Sequence, residues 1–284
     1  MQPKIGVVIL NYKVKELTLA CIKSVFASDY PNLQIIVVDN NSQDGIENKI
    51  KNFKEIIFIQ SGKNLGYTGG NNIGIKKALQ EGSDLVFILN PDTEIKKDTI
   101  SKLYKGLEEY KADIANPKIY FTNSDKLWFA GAIFDKANVL GSHKGVDQED
   151  TGQFDVSSEM GSCTGAALLV RSNVFEKVGL FDERYFLYYE DADFAFRAKK
   201  MGFKIMYIPQ AIVYHQNAKS TGLGSSLQDY FITRNRMLFA SKFLPWRTQF
   251  ALFREAIRNF SNKSRRQALS DFMLGNFGKG SFNA

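Results

Sequence analysis

Four short aliphatic runs within the first 90 residues constrain this chain more than any other feature. Residues 4–10 (KIGVVIL), 33–38 (LQIIVV), 54–60 and 85–89 (LVFIL) read as buried strands. Between them, residues 15–26 place Leu17, Cys21, Ile22 and Val25 at helical spacing, and 69–80 suit a second helix. Strands of continuous β-branched and aliphatic residues, with helices between, predict an α/β fold whose parallel sheet is covered on both faces. In such sheets ligands bind beyond the carboxyl ends of the strands. The polar clusters that follow the second and fourth runs, at Asp39 and Asn90, are therefore where chemistry is expected.

The remainder is less regular. Residues 124–153 read as loop and short strand, 161–170 (GSCTGAALLV) as a buried strand, 191–201 as a helix, and 204–208 as a strand closed by Pro209. With 284 residues, 44% apolar and 24% charged, the chain has ample material for a core. Its only cysteines, Cys21 and Cys163, imply neither a disulfide framework nor a thiolate zinc site. Met1-Gln2-Pro3-Lys4 leads into the first strand without a signal-like stretch, and no apolar run is long enough for a membrane span, so a cytoplasmic setting is expected.

The net charge is +7, but it is localised. From Phe231 to Ala284 ten basic side chains face only Glu255 and Asp271, so the tail holds the whole excess. The near-neutral body offers no extended basic path, and no nucleic-acid partner is expected. The boundary falls near Ser225, giving a body over 1–225 and a basic helical extension over 226–284.

Four segments carry chemistry. In Asn90-Pro91-Asp92 a strand delivers two oxygen-bearing side chains two positions apart, suited to one hard cation or simply to a strand-end turn. Asp39 ends the second strand, where a carboxylate can accept from a base or ribose; Asn41, Ser42 and Asp44 after it suit a turn and cap. Asn64-Leu65-Gly66-Tyr67-Thr68-Gly69-Gly70-Asn71-Asn72 places glycines before a helix, where backbone can approach a ligand. Its spacing is not G-x-G-x-x-G, and no phosphate-binding G-x-x-x-x-G-K-[ST] loop occurs. The fourth segment, Phe181 to Phe194, sets Glu190, Asp191 and Asp193 beside aromatic rings. Acids in a first helical turn suit the macrodipole, yet aromatics can also line a sugar while a carboxylate takes a hydroxyl proton. Of the two histidines, His143 sits in a polar loop where solvation is expected, and His215 follows a strand-like Ile212-Val213-Tyr214.

In this order and spacing the four segments resemble the family 2 glycosyltransferases, especially the rhamnosyltransferase-like branch, over about residues 5–220. The resemblance implies a GT-A fold, inversion at the anomeric carbon, and Mg2+ or Mn2+. It implies Asp191 as catalytic base and Asp39, Asn64, Gly66, Asn72, Asn90 and Asp92 on the donor side. Asp92 and His215 become metal ligands, with Asn90 standing where the family has a first acid. Ser220 follows His215 in that late motif. Glu190, Tyr188 and Trp128 are the acceptor-side candidates. The partners implied are a nucleotide-sugar donor, with dTDP-rhamnose and UDP-hexoses leading, and a glycan or lipid-linked acceptor for cell-surface polysaccharide. The Gln-x-x-Arg-Trp of processive synthases is absent, so a single addition is expected. A non-catalytic nucleotide-sugar or glycan-binding module of the same fold is the alternative.

Over 246–266 the apolar Trp246, Phe250, Phe253, Ile257 and Phe260 recur at helical spacing, with Arg247, Arg254 and Arg258 on another face. Two readings stand. The helix packs on the body or on a second subunit of a homo-oligomer, or it lies on the anionic inner face of a membrane.

Overall fold

A computed structural model describes residues 2–216 and 225–282. The first half alternates β1 (Ile5–Asn11), α1 (Lys15–Phe26), β2 (Leu33–Asp39), α2 (Ile46–Ile50), β3 (Ile56–Gln60), α3 (Gly66–Gln80) and β4 (Leu85–Leu89). Then come β5 (Thr93–Ile95), α4 (Thr99–Glu109), β6 (Ile114–Phe121), β7 (Leu127–Phe129), β8 (Ala132–Asp135), β9 (Leu140–His143) and β10 (Ser158–Glu159). The chain continues through β11 (Ala167–Arg171), α5 (Ser172–Val178), α6 (Glu190–Lys200) and β12 (Ile205–His215). It ends in α7 (Ser226–Phe243), α8 (Trp246–Arg258) and α9 (Lys263–Met273).

The main sheet runs β10-β12-β6-β11-β4-β1-β2-β3. Strands β4, β1, β2 and β3 are parallel neighbours. Chain order reverses around β1, so the carboxyl ends of β1, β2 and β4 open on one crevice. β1 and β4 are buried along their whole length, which is why their sequences are unbroken aliphatic runs. Helix α3 lies tightly over β1: a Cβ at Gly74 would meet Val8 at 2.3 Å, and one at Gly70 would meet Leu10 at 2.4 Å. These two glycines serve helix–sheet packing rather than approach to a ligand.

Two strand expectations are corrected. The strand expected over 161–170 begins only at Ala167, because 161–166 turns at the sheet edge and spends its backbone on the site. β12 does not stop at Pro209 but continues to His215. A register shift between Ile208 and Ile212 absorbs the proline, which cannot donate to the ladder. The far half of β12 then pairs with β5, setting His215 opposite Thr93.

Ser225 caps α7, its hydroxyl accepting from Gln228 N at 3.2 Å. The extension is docked on the body. Met237, Leu238, Phe239, Leu252 and Leu269 share a buried cluster with Val139, Tyr185 and Ala192. Among the described residues no helix is long and apolar enough to cross a membrane.

Candidate active site

The loops that follow β1, β2 and β3 are organised by buried amides. Asn11, at the end of β1, donates to Asp39 Oδ1 at 2.8 Å, Ser42 Oγ at 2.9 Å and Asp44 Oδ2 at 3.0 Å. Asp39 also accepts from Gln60 Nε2 at 2.8 Å and Ser42 N at 3.1 Å, and is 3% exposed. Three of the roughly four lone-pair positions of its carboxylate are thereby used within the fold. Asn40 bridges to the next loop, donating to Asn64 Oδ1 and Gly66 O and accepting from Leu65 N. Asn64 in turn accepts from Gly66 N at 2.9 Å. Asn72 is buried and spends its amide on Phe181, accepting from Phe181 N at 3.1 Å and donating to Phe181 O at 2.9 Å and Glu183 Oε1 at 3.1 Å. Asn11 and Asn40 escaped sequence reasoning, since a lone strand-end Asn carries no pattern.

A second group gathers where β4 and β12 end. His215 Nε2 donates to Asp92 Oδ1 at 3.0 Å, with side chains 5% and 12% exposed. Among the described residues Asn90 Oδ1 and His215 Nδ1 are buried without a hydrogen-bond partner, a costly state unless a ligand completes it. Trp128 lies edge-on to His215, ring centroids 4.5 Å apart, and equally close to His143. His143 is therefore not a solvated loop residue. It ends β9 against Trp128 and Phe129, and burial lowers its imidazole pKa to about 4. Among the described residues no three His, Cys, Asp or Glu side chains converge as a cation cage. Ser220 lies outside the described residues.

The acidic segment forms the third group, and its three acids divide by environment. Asp193 is 0% exposed and is paired by Lys242, by Arg197 Nε at 2.5 Å and by Tyr185 Oη at 3.0 Å. Glu190 is buried, its Oε2 has no partner, and burial followed by the adjacent Asp191 raises its pKa well above the usual value. It holds a proton. Burial raises Asp191 too, but N–H groups of Ala192, at 2.7 Å from Oδ1, and Gly165, at 3.2 Å from Oδ2, favour its charged form. No basic side chain among the described residues pairs with Asp191. The Tyr67 hydroxyl, which donates to Gly165 O at 2.7 Å, is raised first by burial and then by Glu190, Asp191 and Asp92 together. This partly buried tyrosine lies within electrostatic reach of both acidic groups.

The backbone leading into α6 is strained. Phe186, Tyr188 and Tyr189 have φ of 65°, 68° and 73°, left-handed values that cost an L-residue about 1–2 kcal/mol each. Phe186 presses on the donor-side loop: its carbonyl accepts from Thr68 N at 3.2 Å, and a Cβ at Gly66 would meet that oxygen at 2.4 Å. Gly66 itself has φ 72°, so both close approach and conformation require glycine there. Tyr188 packs partly buried beside Tyr230 and Phe231. Asp92 with His215, Asn90 and Trp128 form one corner, and Glu190 with Asp191 another, while Asn64 and Gly66 join the second through Phe186.

With this geometry in view, the comparisons with known proteins agree on the family. The model of glycosyl transferase family 2 matches residues 6–179. The chain belongs to that family. Family 2 assigns this chain to the glycosyltransferases, and the α/β fold is the GT-A fold. The low-salt glycan biosynthesis hexosyltransferase of Haloferax volcanii is 31% identical over 245 residues, covering 84% of this chain and 76% of the relative. The dTDP-rhamnosyl transferase of Shigella flexneri is 27% identical, covering 74% and 72%. Among solved structures, GalNAc-T7 with UDP, GalNAc and Mn2+ aligns with TM-score 0.63 at 14% identity, over 83% of this chain but 51% of that one. A mannosyltransferase of Pyrobaculum calidifontis in complex with GDP-Man and Mn2+ aligns with TM-score 0.57 at 16% identity, over 99% and 77%. The family match ends before α6, so the acidic segment, His215 and the C-terminal helices lie beyond it.

Proposed function

We propose that this glycosyltransferase moves a sugar from a nucleoside-diphosphate sugar, dTDP-rhamnose or a UDP-hexose, to a hydroxyl of a glycan or lipid-linked acceptor with inversion, Asp191 acting as base. The observation that carries the reading is the contrast within the acidic segment: Asp193 is ion-paired, Glu190 is buried and pushed toward its neutral form, and Asp191 is oriented by two backbone N–H groups with no basic side chain among the described residues paired to it.

The acceptor hydroxyl is a poor nucleophile until its proton is removed. Asp191 accepts that proton as the new bond forms at the anomeric carbon, while the bond to the diphosphate breaks on the opposite face. Two backbone N–H groups orient Asp191 and favour its charged form before the acceptor arrives. Asn11, Gln60 and Ser42 hold Asp39 at the end of β2, at the nucleotide side.

A divalent cation fits the Asp92 corner. The Asp92–His215 pair offers a carboxylate and an imidazole, and the unpartnered Asn90 Oδ1 offers a neutral oxygen two residues from Asp92. Among the described residues no third acid or histidine joins them, so further ligands would come from diphosphate and water. Mg2+ or Mn2+ bound there supplies a Lewis acid for the charge developing on the leaving diphosphate. Asp191→Asn is the decisive experiment: donor affinity should persist while transfer is lost, and sustained turnover would remove Asp191 from the role.

The acceptor side would be lined by Glu190, Tyr188 and Trp128. We further propose that α8 sets the protein against an anionic lipid surface where lipid-linked acceptors reside. Leu252 and Ala256 bury against the body, but Trp246, Phe250 and Ile257 remain 70%, 56% and 49% exposed beside Arg247, Arg254 and Arg258. Aromatic rings flanked by arginines suit an anionic interface. Flotation with anionic liposomes, lost on changing Trp246 and Phe250 to Ser, would support the contact; flotation unaffected by those changes, or none at all, would oppose it. A dimer in solution would instead point to a second copy on this face.

A further inference from the structure

The group that holds the base loop in shape belongs to the C-terminal extension. Asn235 on α7 is 0% exposed, and its Nδ2 donates to the carbonyls of Tyr185 at 2.9 Å, Leu187 at 2.7 Å and Tyr188 at 2.8 Å. Its Oδ1 accepts from Arg234 Nε at 3.1 Å and Nη2 at 3.0 Å. Arg234, also 0% exposed, reaches the same loop through Nη2, at 3.2 Å from Arg184 O and 3.0 Å from Tyr185 O. Gly278 N donates to Arg184 O as well, at 2.9 Å.

A complete accounting of the loop's carbonyls follows. Those of Arg184, Tyr185, Leu187 and Tyr188 are held by Arg234, Asn235 and Gly278. The remaining one, Phe186 O, faces the other way and accepts from Thr68 N. Left-handed φ values at Phe186, Tyr188 and Tyr189 persist only where the surroundings over-determine them. Here the surroundings are one side-chain amide, its neighbouring guanidinium and the donor-side loop. Glu190 and Asp191 follow the last of these strained residues directly.

We propose that Asn235 is a positioning residue for sugar transfer: its amide fixes the left-handed loop that aims Asp191 and seats Phe186 on the donor-side loop at Gly66. The extension is then part of the catalytic device. The role needs an amide. A carboxylate would turn oxygen toward three carbonyls, and an isosteric leucine would take the amide donor away from all three. The proposal rests on the reading of Asp191 as base.

The test compares Asn235→Leu, Asn235→Gln and Leu269→Ala, the last destabilising the shared core of the extension while leaving the clamp intact. For each, the melting temperature, the donor Kd by calorimetry, and kcat and KM for transfer are measured. Asn235→Leu should lower kcat by about tenfold to a hundredfold, the loss that misplacement of a reacting group brings. Its donor Kd should change far less than kcat, because the Asn11, Asn40 and Gln60 contacts are untouched. Asn235→Gln, keeping the amide one methylene further out, should recover part of the loss. Leu269→Ala should lower the melting temperature without lowering kcat. A folded Asn235→Leu protein with wild-type kcat overturns the proposal, as does an equal kcat loss in Leu269→Ala. Should the leucine variant not fold, the Gln variant carries the test: kcat lowered far more than donor Kd changes supports the role, and unchanged kcat overturns it. Asp191→Asn run alongside separates the two claims. Normal turnover there defeats the base assignment; an inactive Asp191→Asn beside an unimpaired Asn235→Leu defeats only the positioning role.

Discussion

His215 Nε2 lies 3.0 Å from Asp92 Oδ1 although 123 residues separate them in the chain. The contact exists because β12 runs on past Pro209 and pairs with β5, placing His215 across from Thr93. The Trp128 ring lies edge-on to the imidazole, and two residues before Asp92 the buried Asn90 Oδ1 has no hydrogen-bond partner among the described residues.

If this corner holds a cation, changing His215 or Asp92 to Ala should weaken donor binding in Mn2+ by about tenfold to a hundredfold, the scale typical of losing support for a metal. Calorimetry in Mn2+ and in EDTA measures it. Wild-type donor affinity that is the same in both solutions would count against a metal at this position.

The pH dependence of kcat should carry an acid limb set by Asp191. Burial raises its pKa above 3.8, with the Ala192 and Gly165 N–H groups opposing part of that rise. Activity should therefore decline as pH falls through a value higher than that of an ordinary aspartate. An acid limb at or below the ordinary value would argue against a buried base.

Glu190 makes a prediction about stability with a definite sign. Its pKa is raised well above 4.5 by burial and by Asp191, so the folded state retains a proton that the unfolded chain releases. Stability is therefore lost as pH rises from about 4.5 toward the folded value. Glu190→Gln removes that linkage. Its melting temperature should match wild type near pH 4 and exceed it increasingly at higher pH; a difference independent of pH would show Glu190 to be charged in the fold.

Lys242 bridges Asp182 and the fully buried Asp193. Lys242→Met should destabilise the protein by about 3 kcal/mol, because removing one partner leaves buried carboxylates undercompensated. Burial alone would raise Asp182, but hydrogen bonds from Arg184 and Lys242 outweigh it and hold it well below the usual range. The stability that this depression provides is present above about 3.8 and is lost as pH falls below it, so the Met variant should show a shallower acid slope in denaturant titrations. A slope unchanged from wild type would place the stabilisation elsewhere.

The parallel half of the sheet was readable because β1, β2 and β4 are buried on both faces, and such strands write themselves as continuous aliphatic runs. Asp92, Asp191 and His215 were singled out as polar residues at the ends of such runs or beside aromatics, and the fold brings His215 to Asp92. Two things were not readable. Gly165 lies in 161–166, whose small apolar residues imitate a strand while their backbone serves Asn90 and Asp191. Asn235 sits mid-helix, and its contacts depend on a loop conformation that no local pattern encodes. The one available signal was adjacency: Arg234 and Asn235 stand side by side between the apolar clusters of α7.

The Asn235–Tyr185 contact spans 50 residues. Chains are made from the N-terminus and fold as they emerge. The strands that form the crevice are complete well before Asn235 is added, whereas the loop bearing Asp191 waits for it. A growing chain would thus acquire a place for the donor before it acquires the means to use it. Competence to transfer would arrive only once α7 has emerged and closed over the loop.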